Sequence, residues 1–167
     1  MTLVELLVSL AVGVLVVLAT GELYLQTSEG FIAQLNYVDL DNQCQTALDL
    51  MSQQIRQTGG VTNASPTELV LNDSDGTLLT FRYDARAKTL TRSNALGSRV
   101  LLSRCDSLQF SLFQRNPVGG DGDFVSTTNA SDCKLIKVSW TCSRPASFGK
   151  VNTESIDGAK IMIRNKK

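Results

Sequence analysis

The side chains that could carry chemistry in this sequence are four cysteines and a few carboxylates, because the chain contains no histidine. It therefore lacks the commonest metal ligand and the usual general base at neutral pH, and no motif places a serine beside a base. The cysteines are Cys44, Cys105, Cys133 and Cys142. They form no C-x-x-C pair, which argues against zinc and favours disulfides or buried thiols. We predict that the protein is not an enzyme and needs no cofactor.

Carboxylates in two glycine-rich stretches are the remaining candidates for binding a ligand. These stretches are NDSDG (72–76) and GGDGD (119–123). Neither has the twelve-residue spacing and terminal glutamate of a calcium-binding EF-hand loop. Turns are the simpler interpretation of both, and Asp121 and Asp123 are kept only as a secondary candidate for calcium.

Length, composition and charge limit the class of protein. The 167 residues suit one domain, and 43% of them are hydrophobic, which is enough for a packed core. Lys and Arg number 16, as do Asp and Glu, so the formal net charge is zero and no overall field attracts nucleic acid. The C-terminal IRNKK is basic but has no interleaved aromatic residues. We interpret it as a solvated edge, and nucleic acid is not an expected partner.

The N-terminal stretch MTLVELLVSLAVGVLVVLATG is apolar apart from Glu5, and the next ionisable side chain is Glu22. As a helix, residues 1–21 would be about 31 Å long, close to the hydrocarbon thickness of a bilayer. A secretory signal would carry a basic residue before the apolar run, whereas the first basic residue here is Arg56. A membrane anchor and a buried core helix are the other interpretations. None of the three explains Glu5, because a lone carboxylate in lipid costs several kcal/mol.

Residues 1 to about 57 are predicted to form one helix, because no proline interrupts them and QQIRQTGG ends in a glycine pair suited to a C-cap. The apolar face of this helix changes side near residue 39. The earlier face comprises Tyr24, Phe31, Leu35 and Val38. The later face comprises Leu40, Cys44, Ala47, Leu48, Met51 and Ile55. We expect another molecule to cover the earlier face and the chain's own domain to cover the later one. The alternative is a helix covered on both sides by its own domain.

Two glycines of the predicted helix bracket a valine-rich segment. Gly13 and Gly21 each weaken a helix by roughly 1 kcal/mol relative to alanine. We therefore predict that the segment between them is where the helix can stretch or unwind locally.

After the helix, the hydrophobic pattern changes from helical to alternating, with turn signals between most segments. The predicted strands are TELVLN, GTLLTFRYD, KTLTRS, SRVLLS, SLQFSLFQR, KLIKVSWTC and AKIMIRN. We predict an α+β fold in which a long, protruding N-terminal helix packs by its C-terminal half on an antiparallel β-sheet. Its parts are an apolar helix of transmembrane length (1–26), an amphipathic continuation (27–58) and a β-rich globular head (59–167).

The predicted strands restrict how the cysteines can pair. At the two ends of one strand, Cys133 and Cys142 would lie about 30 Å apart, beyond the reach of a disulfide. Antiparallel pairing of this strand with SLQFSLFQR would place Cys105 near Cys142, which leaves Cys44 for Cys133. Two alternatives stay open. In the first, Cys44 is a buried thiol without a disulfide. In the second, a bulge in KLIKVSWTC brings Cys133 close enough to Cys142 for these two to form a disulfide.

The opening MTLVELLVSL resembles the mature N-terminus of type IV pilins and of the pseudopilins of type II secretion. In that family a short leader is removed before a Phe or Met, and Thr-Leu-Ile/Val-Glu-Leu-Leu/Met-Val follows. The matching residues here are Met1, Thr2, Leu3, Val4, Glu5, Leu6, Leu7 and Val8. The chain is therefore expected to begin at the processed N-terminus. More loosely, LDLMSQQIRQTGG, TFRYDARAKTLTR and LLSRCDSLQFSLFQ look like the larger minor pilins and J-type pseudopilins.

The resemblance implies a structural subunit of a type IV pilus or pseudopilus-like filament whose apolar helices pack into a central bundle. Glu5 of one copy would pair with the N-methylated amino terminus of a neighbour, so that Met1, Thr2 and Glu5 set the register. The implied partners are other copies or related pilins, the inner-membrane assembly machinery and, before assembly, the membrane. The implied location is the bacterial cell envelope, first the inner membrane and then an extracellular filament or periplasmic pseudopilus.

Several alternatives remain open at this stage. In one alternative, the chain is a minor tip or adaptor pilin. In another, it is a membrane-anchored binding domain that does not form the filament shaft. Many pilins have a proline near position 22, which this helix lacks, and the size of the head suits a minor subunit; major and minor roles both stay open. The physical argument requires that neighbouring copies shelter Glu5. A carboxylate that is solvated, or satisfied within its own chain, would contradict it.

Overall fold

A computed structural model of the chain describes residues 2–73, 75–119, 124–145 and 152–164, which form one long helix followed by nine strands. The helix, α1, spans Leu3–Gln57. The strands are β1 (Gly60–Ala64), β2 (Glu68–Asn72), β3 (Leu78–Asp84), β4 (Thr89–Asn94), β5 (Gly97–Ser103), β6 (Cys105–Arg115), β7 (Phe124–Thr127), β8 (Leu135–Pro145) and β9 (Asn152–Met162). A short 3₁₀ helix, Ala130–Asp132, precedes β8. The predicted α+β fold with a long N-terminal helix is confirmed.

The end of α1 differs from the predicted glycine cap. The helix stops where Thr58 turns to an extended conformation, and the Thr58 N–H still donates to the Gln54 carbonyl at 3.1 Å. The buried Thr58 hydroxyl lies 2.6 Å from the Asn72 carbonyl oxygen at the end of β2. Gly59 also donates its N–H to Asn72, at 2.9 Å, and Gly60 opens β1. The glycine pair therefore leads the chain into the sheet, and a threonine ends the helix.

The strands form two antiparallel sheets, whereas the sequence predicted one. The first sheet has the order β1-β2-β3-β4-β5, and the second has the order β7-β6-β8-β9. Only Arg104 separates β5 from β6, and its φ of 56° is the left-handed conformation that non-glycine residues rarely adopt. The chain changes sheet at this residue, which carries no glycine or proline signal in the sequence.

A single core joins the two sheets and the C-terminal part of α1. The helix buries Leu40, Cys44, Ala47, Met51 and Ile55. It packs on β9 and β8 of the second sheet and on β5 of the first. Each sheet contributes alternate, fully buried side chains, among them Leu69, Leu71, Leu79, Phe81, Leu90, Ile136, Val138, Trp140 and Ile161. The switch of apolar face near residue 39 is thereby confirmed, because burial of the helix begins at Leu40.

Candidate functional site: the exposed helix and its junction with the sheets

The N-terminal two thirds of α1 protrude from the head. We call residues 3–39 the stalk, because none of their side chains is buried and the large apolar ones, apart from the half-buried Ile32, are 49–77% exposed. By length and composition α1 can cross a membrane. The stalk would be about 55 Å long, against about 30 Å of bilayer hydrocarbon. An apolar surface of this extent is not stable in water and must be covered by lipid or by protein.

Glu5 lies at the exposed end of the stalk and has a partner in its own chain. Its carboxylate accepts a hydrogen bond from the backbone N–H of Thr2 at 3.2 Å, which is half of a capping box. In the isolated chain Glu5 is thus exposed and accepts a local bond, while its predicted register role concerns an assembled state and stays a prediction. That bond satisfies one backbone donor but leaves the negative charge without a counter-ion among the described residues. Met1, the predicted methylation site, lies outside those residues.

Packing among the residues that the structure describes does not require glycine at the two stalk positions. The helix is continuous through Gly13 and Gly21, and a Cβ added at either would meet no atom within 4 Å. Their predicted role in local stretching concerns an assembled state and stays a prediction.

The predicted intermolecular face is fully available. Tyr24 is 75% exposed, and Phe31, Leu35 and Val38 are also exposed. The interpretation in which the chain's own domain covers both faces of the helix is therefore wrong. The fully buried residues of α1 begin at Leu40, and before it only Ile32, Ala33 and Asn36 are half-buried, so the earlier face stays exposed within the described part of the chain.

Three of the four cysteines meet where the stalk enters the head. The Trp140 indole N–H donates to the Cys44 sulfur at 3.4 Å, which ties α1 to β8. Cys105 and Cys142 are directly opposed on β6 and β8, as the predicted strand pairing requires. The Cys142 thiol also interacts with the thiols of Cys44 and Cys105. All four cysteines are buried, and no disulfide joins any two of them in this structure.

The predicted pairing of Cys44 with Cys133 is wrong. Cys44 contacts Trp140 and Cys142, near the C-terminal end of β8, whereas Cys133 precedes the start of that strand. An extended strand separates these positions by roughly 25–30 Å. The register between β8 and β9 is continuous, so β8 has no bulge that would bring Cys133 close to Cys142. Of the alternatives, the buried thiol at Cys44 is the one observed.

The thiol cluster favours the protonated form at two of its three members. Contact with Cys142 and burial raise the pKa of Cys44, and contact with Cys105 raises the pKa of Cys142 to about 12. The hydrogen bond from Cys142 lowers the pKa of Cys105, because it stabilises that thiolate. Cys105 is therefore the first of the three to lose its proton. Within the described ranges, no group of three or more Cys, Asp or Glu side chains is arranged to hold a metal ion.

A buried arginine at the same junction was not found from the sequence. Arg144 on β8 is 7% exposed, and its guanidinium donates to the Ser103 carbonyl at 3.0 Å and to the Gln43 side-chain oxygen at 2.8 Å. It thereby connects both sheets to α1. Its ion pair with Asp39 is long, at 3.8 Å, and the Asp39 side chain is mostly exposed, so this pair contributes little. Its place late in a strand gave no sign of burial, because isolated arginines in strands are usually solvated.

Replacing Arg144 with alanine is expected to lower the free energy of unfolding by about 2–3 kcal/mol, because two charge-assisted hydrogen bonds are lost in a buried place. Urea unfolding of the full chain in detergent micelles, followed by the fluorescence of Trp140, measures this. Arg99→Ala is the matched control, since Arg99 is exposed on β5 and is expected to change stability by less than about 0.5 kcal/mol. Equal losses in the two variants would show that Arg144 does not hold the helix.

The remaining predicted site residues, Asp121 and Asp123, lie outside the described residues. Comparisons of the chain with protein-family models, with curated proteins and with solved structures give no match, so the interpretation of the site depends on its own geometry.

Proposed function

We propose that this chain is a structural subunit of a type IV pilus or pseudopilus-like filament, anchored in the inner membrane by α1 before it assembles. The observation that carries the proposal is the length of the uncovered stalk. A bilayer accounts for about 20 residues of helix, but the exposed apolar surface continues to Val38. The aromatic face at Tyr24 and Phe31 lies beyond the span and requires a protein partner.

Several copies of the same stalk would satisfy this requirement together. Parallel packing of apolar helices buries their surface at about 25 cal/mol per Å², which supplies most of the association free energy. The Glu5 charge then pairs with the amino terminus of a neighbour, and this pair penalises a wrong register. Assembly is in this view a transfer of the apolar helix from lipid into protein.

Electron microscopy of fibres purified from the cell envelope, with mass spectrometry of their subunits, tests the proposal. We expect this chain in the fibres, with a methylated Met1 and in a regular helical array. Its presence in only a few copies at fibre ends would support the tip or adaptor role and contradict a shaft role. A chain recovered only from membranes, as a monomer, would support a membrane-anchored binding domain and overturn the proposal.

A location in the envelope also predicts a redox state for the thiol cluster. Envelope compartments contain disulfide oxidants, and Cys105 and Cys142 are directly opposed. We expect the Cys105 thiolate to attack a disulfide oxidant, and Cys142 to displace it, giving one cross-strand disulfide and a reduced oxidant dithiol.

Peptide mapping of the oxidised, non-reduced protein is expected to show a link between Cys105 and Cys142. Cys142→Ser should remove this link, whereas Cys133→Ser should leave it unchanged. A linked peptide that contains Cys133 would contradict the observed register.

A further inference from the structure

The charges of this neutral chain are divided between the helix and the head. Residues 1–55 contain six acidic residues and no lysine or arginine, whereas the rest of the chain contains ten acidic residues and all 16 basic ones. At neutral pH the helix is therefore strongly negative and the head is positive by the same amount. Such a division within one chain favours contacts between the helix of one copy and the head of another.

Two of the four acidic residues of the stalk lie on one ridge. Glu22 and Glu29 are exposed, lie two turns apart on the same side of α1, and make no ion pair among the described residues. At 100° per residue, Glu22 falls on the same side as Leu40 and Val4, which are both 18 residues away. This side of the helix therefore presents apolar residues at its start, two carboxylates in the middle and the head at its end.

The positive charge of the head includes a groove on the opposite side of α1. The groove has a volume of about 640 Å³ and lies between the last turns of α1 and β9. Arg56, Lys160 and Arg164 line it with exposed cations that make no ion pair with the residues that the structure describes, and among these residues Asp49 is the one acid in its lining. By the same angular count, Arg56 lies within about 20° of Phe31. The groove thus continues the exposed apolar face of the stalk.

The ridge of a copy cannot reach its own groove. The two lie on opposite sides of one continuous helix, and about 27 residues, or about 40 Å, separate their centres. Two complementary surfaces on opposite sides of one molecule make a head-to-tail contact, and their offset along the helix axis makes this contact repeat into an open filament, because it prevents closure into a ring or a dimer.

We propose that the Glu22 and Glu29 ridge of one copy binds in the Arg56, Lys160 and Arg164 groove of a second copy, displaced by about 40 Å along the helix axis. The same displacement brings Val4 and Val8 of the first copy level with Phe31 and Leu35 of the second. One register therefore matches the charges and also covers the exposed apolar face.

This inference rests on the proposed function and names the contacting surfaces within it. In a helical array each subunit has several neighbours at different axial offsets. The neighbour whose amino terminus meets Glu5 is therefore a different one, at a small offset.

Charge reversal in the full-length chain, expressed in cells that assemble the filament, tests this contact. One variant is Glu22→Lys with Glu29→Lys, a second is Arg56→Glu with Lys160→Glu, and a third combines all four. We expect each double variant to lower the fraction of subunits in sheared fibres at least about tenfold, because like charges then face each other. The combined variant is expected to recover to within about threefold of the unchanged chain. Recovery cannot result from misfolding.

The matched control is Arg86→Glu with Arg99→Glu, which changes the charge equally at two exposed positions, one in the turn between β3 and β4 and one on β5. It is expected to leave the fibre fraction unchanged. Double variants that assemble normally, or a combined variant as defective as its parents, would overturn this contact while leaving the filament function intact. If the unchanged chain forms no fibres, the proposed function itself fails.

Discussion

Replacing Glu5 with glutamine is expected to lower the fraction of subunits in filaments by about a hundredfold or more, while the membrane-bound amount stays unchanged. Glutamine can accept the hydrogen bond from the Thr2 N–H as glutamate does, because capping boxes use either residue. It cannot neutralise a buried ammonium group. Leaving one partner of a buried ion pair uncompensated costs about 3–5 kcal/mol, which corresponds to this loss of assembly.

The comparison of two substitutions separates the two roles that Glu5 can have. Glu5→Ala removes both the capping bond and the charge, whereas Glu5→Gln removes the charge alone. Immunoblots of sheared fibres and of membranes measure both variants, with Glu68→Gln on β2 as a carboxylate control in the head. If Glu5→Gln assembles normally and only Glu5→Ala fails, Glu5 is a helix cap. If both assemble normally, the carboxylate has no part in assembly.

The long helix and its two faces could be predicted because the side of a helix that packs against another surface is apolar, and this repeats with the helical period. Apolar residues recur at the spacing of one helix side, and the side changes where the head begins, at Leu40. The pairing of β6 with β8 was predictable for a similar reason. Along β8 the core-facing Ile136, Val138 and Trp140 alternate with polar residues, which is the pattern of a strand with one buried face. Hydrophobic periods of two residues for a strand and 3.6 for a helix can be recognised in a single sequence, because recognising them does not require knowing which surface covers the apolar side.

The features that the sequence did not show depend on contacts between distant segments. The strands β1 and β7 were missed, because GVTNA and FVST are short and largely polar and lie at sheet edges. The division into two sheets depends on the backbone of Arg104, whose positive φ no local residue type indicates. The wrong partner for Cys44 followed from elimination among cysteines. Which cysteine lies near Cys44 depends on where the helix crosses β8. The spacing of the cysteines in the sequence does not indicate that position.

The hydrogen bond from the Thr2 N–H to Glu5 was not predicted from the sequence. The resemblance assigned this carboxylate a partner in another molecule, and the isolated chain supplies a second acceptor role within the first turn. Both roles use the same side chain, because a hydrogen bond to one N–H leaves the charge available. A structure of a single copy therefore reports the local role, and assembly measurements report the other.

In the proposed filament the junction between stalk and head would have to resist mechanical force, and a tryptophan lies at its centre. Trp140 is 1% exposed, packs where α1 crosses β8, and donates its indole N–H to the Cys44 sulfur. Its removal leaves a large cavity between the helix and the sheet that neighbouring side chains cannot fill. Trp140→Ala is expected to lower the free energy of unfolding by about 3–5 kcal/mol, a large part of the 5–15 kcal/mol typical of a domain.

Far-UV circular dichroism during urea unfolding of the full chain in micelles measures this loss, because the variant has no tryptophan left to report by fluorescence. Trp140→Phe keeps most of the apolar volume but removes the N–H, so a loss of about 1–2 kcal/mol is expected. Leu96→Ala is the control for a large apolar residue that is 95% exposed, and no change is expected there. A loss below about 1 kcal/mol for Trp140→Ala would mean that the helix is held elsewhere. The expected large loss, with a similar fall in filament incorporation, would show that a firmly docked head is a condition for assembly.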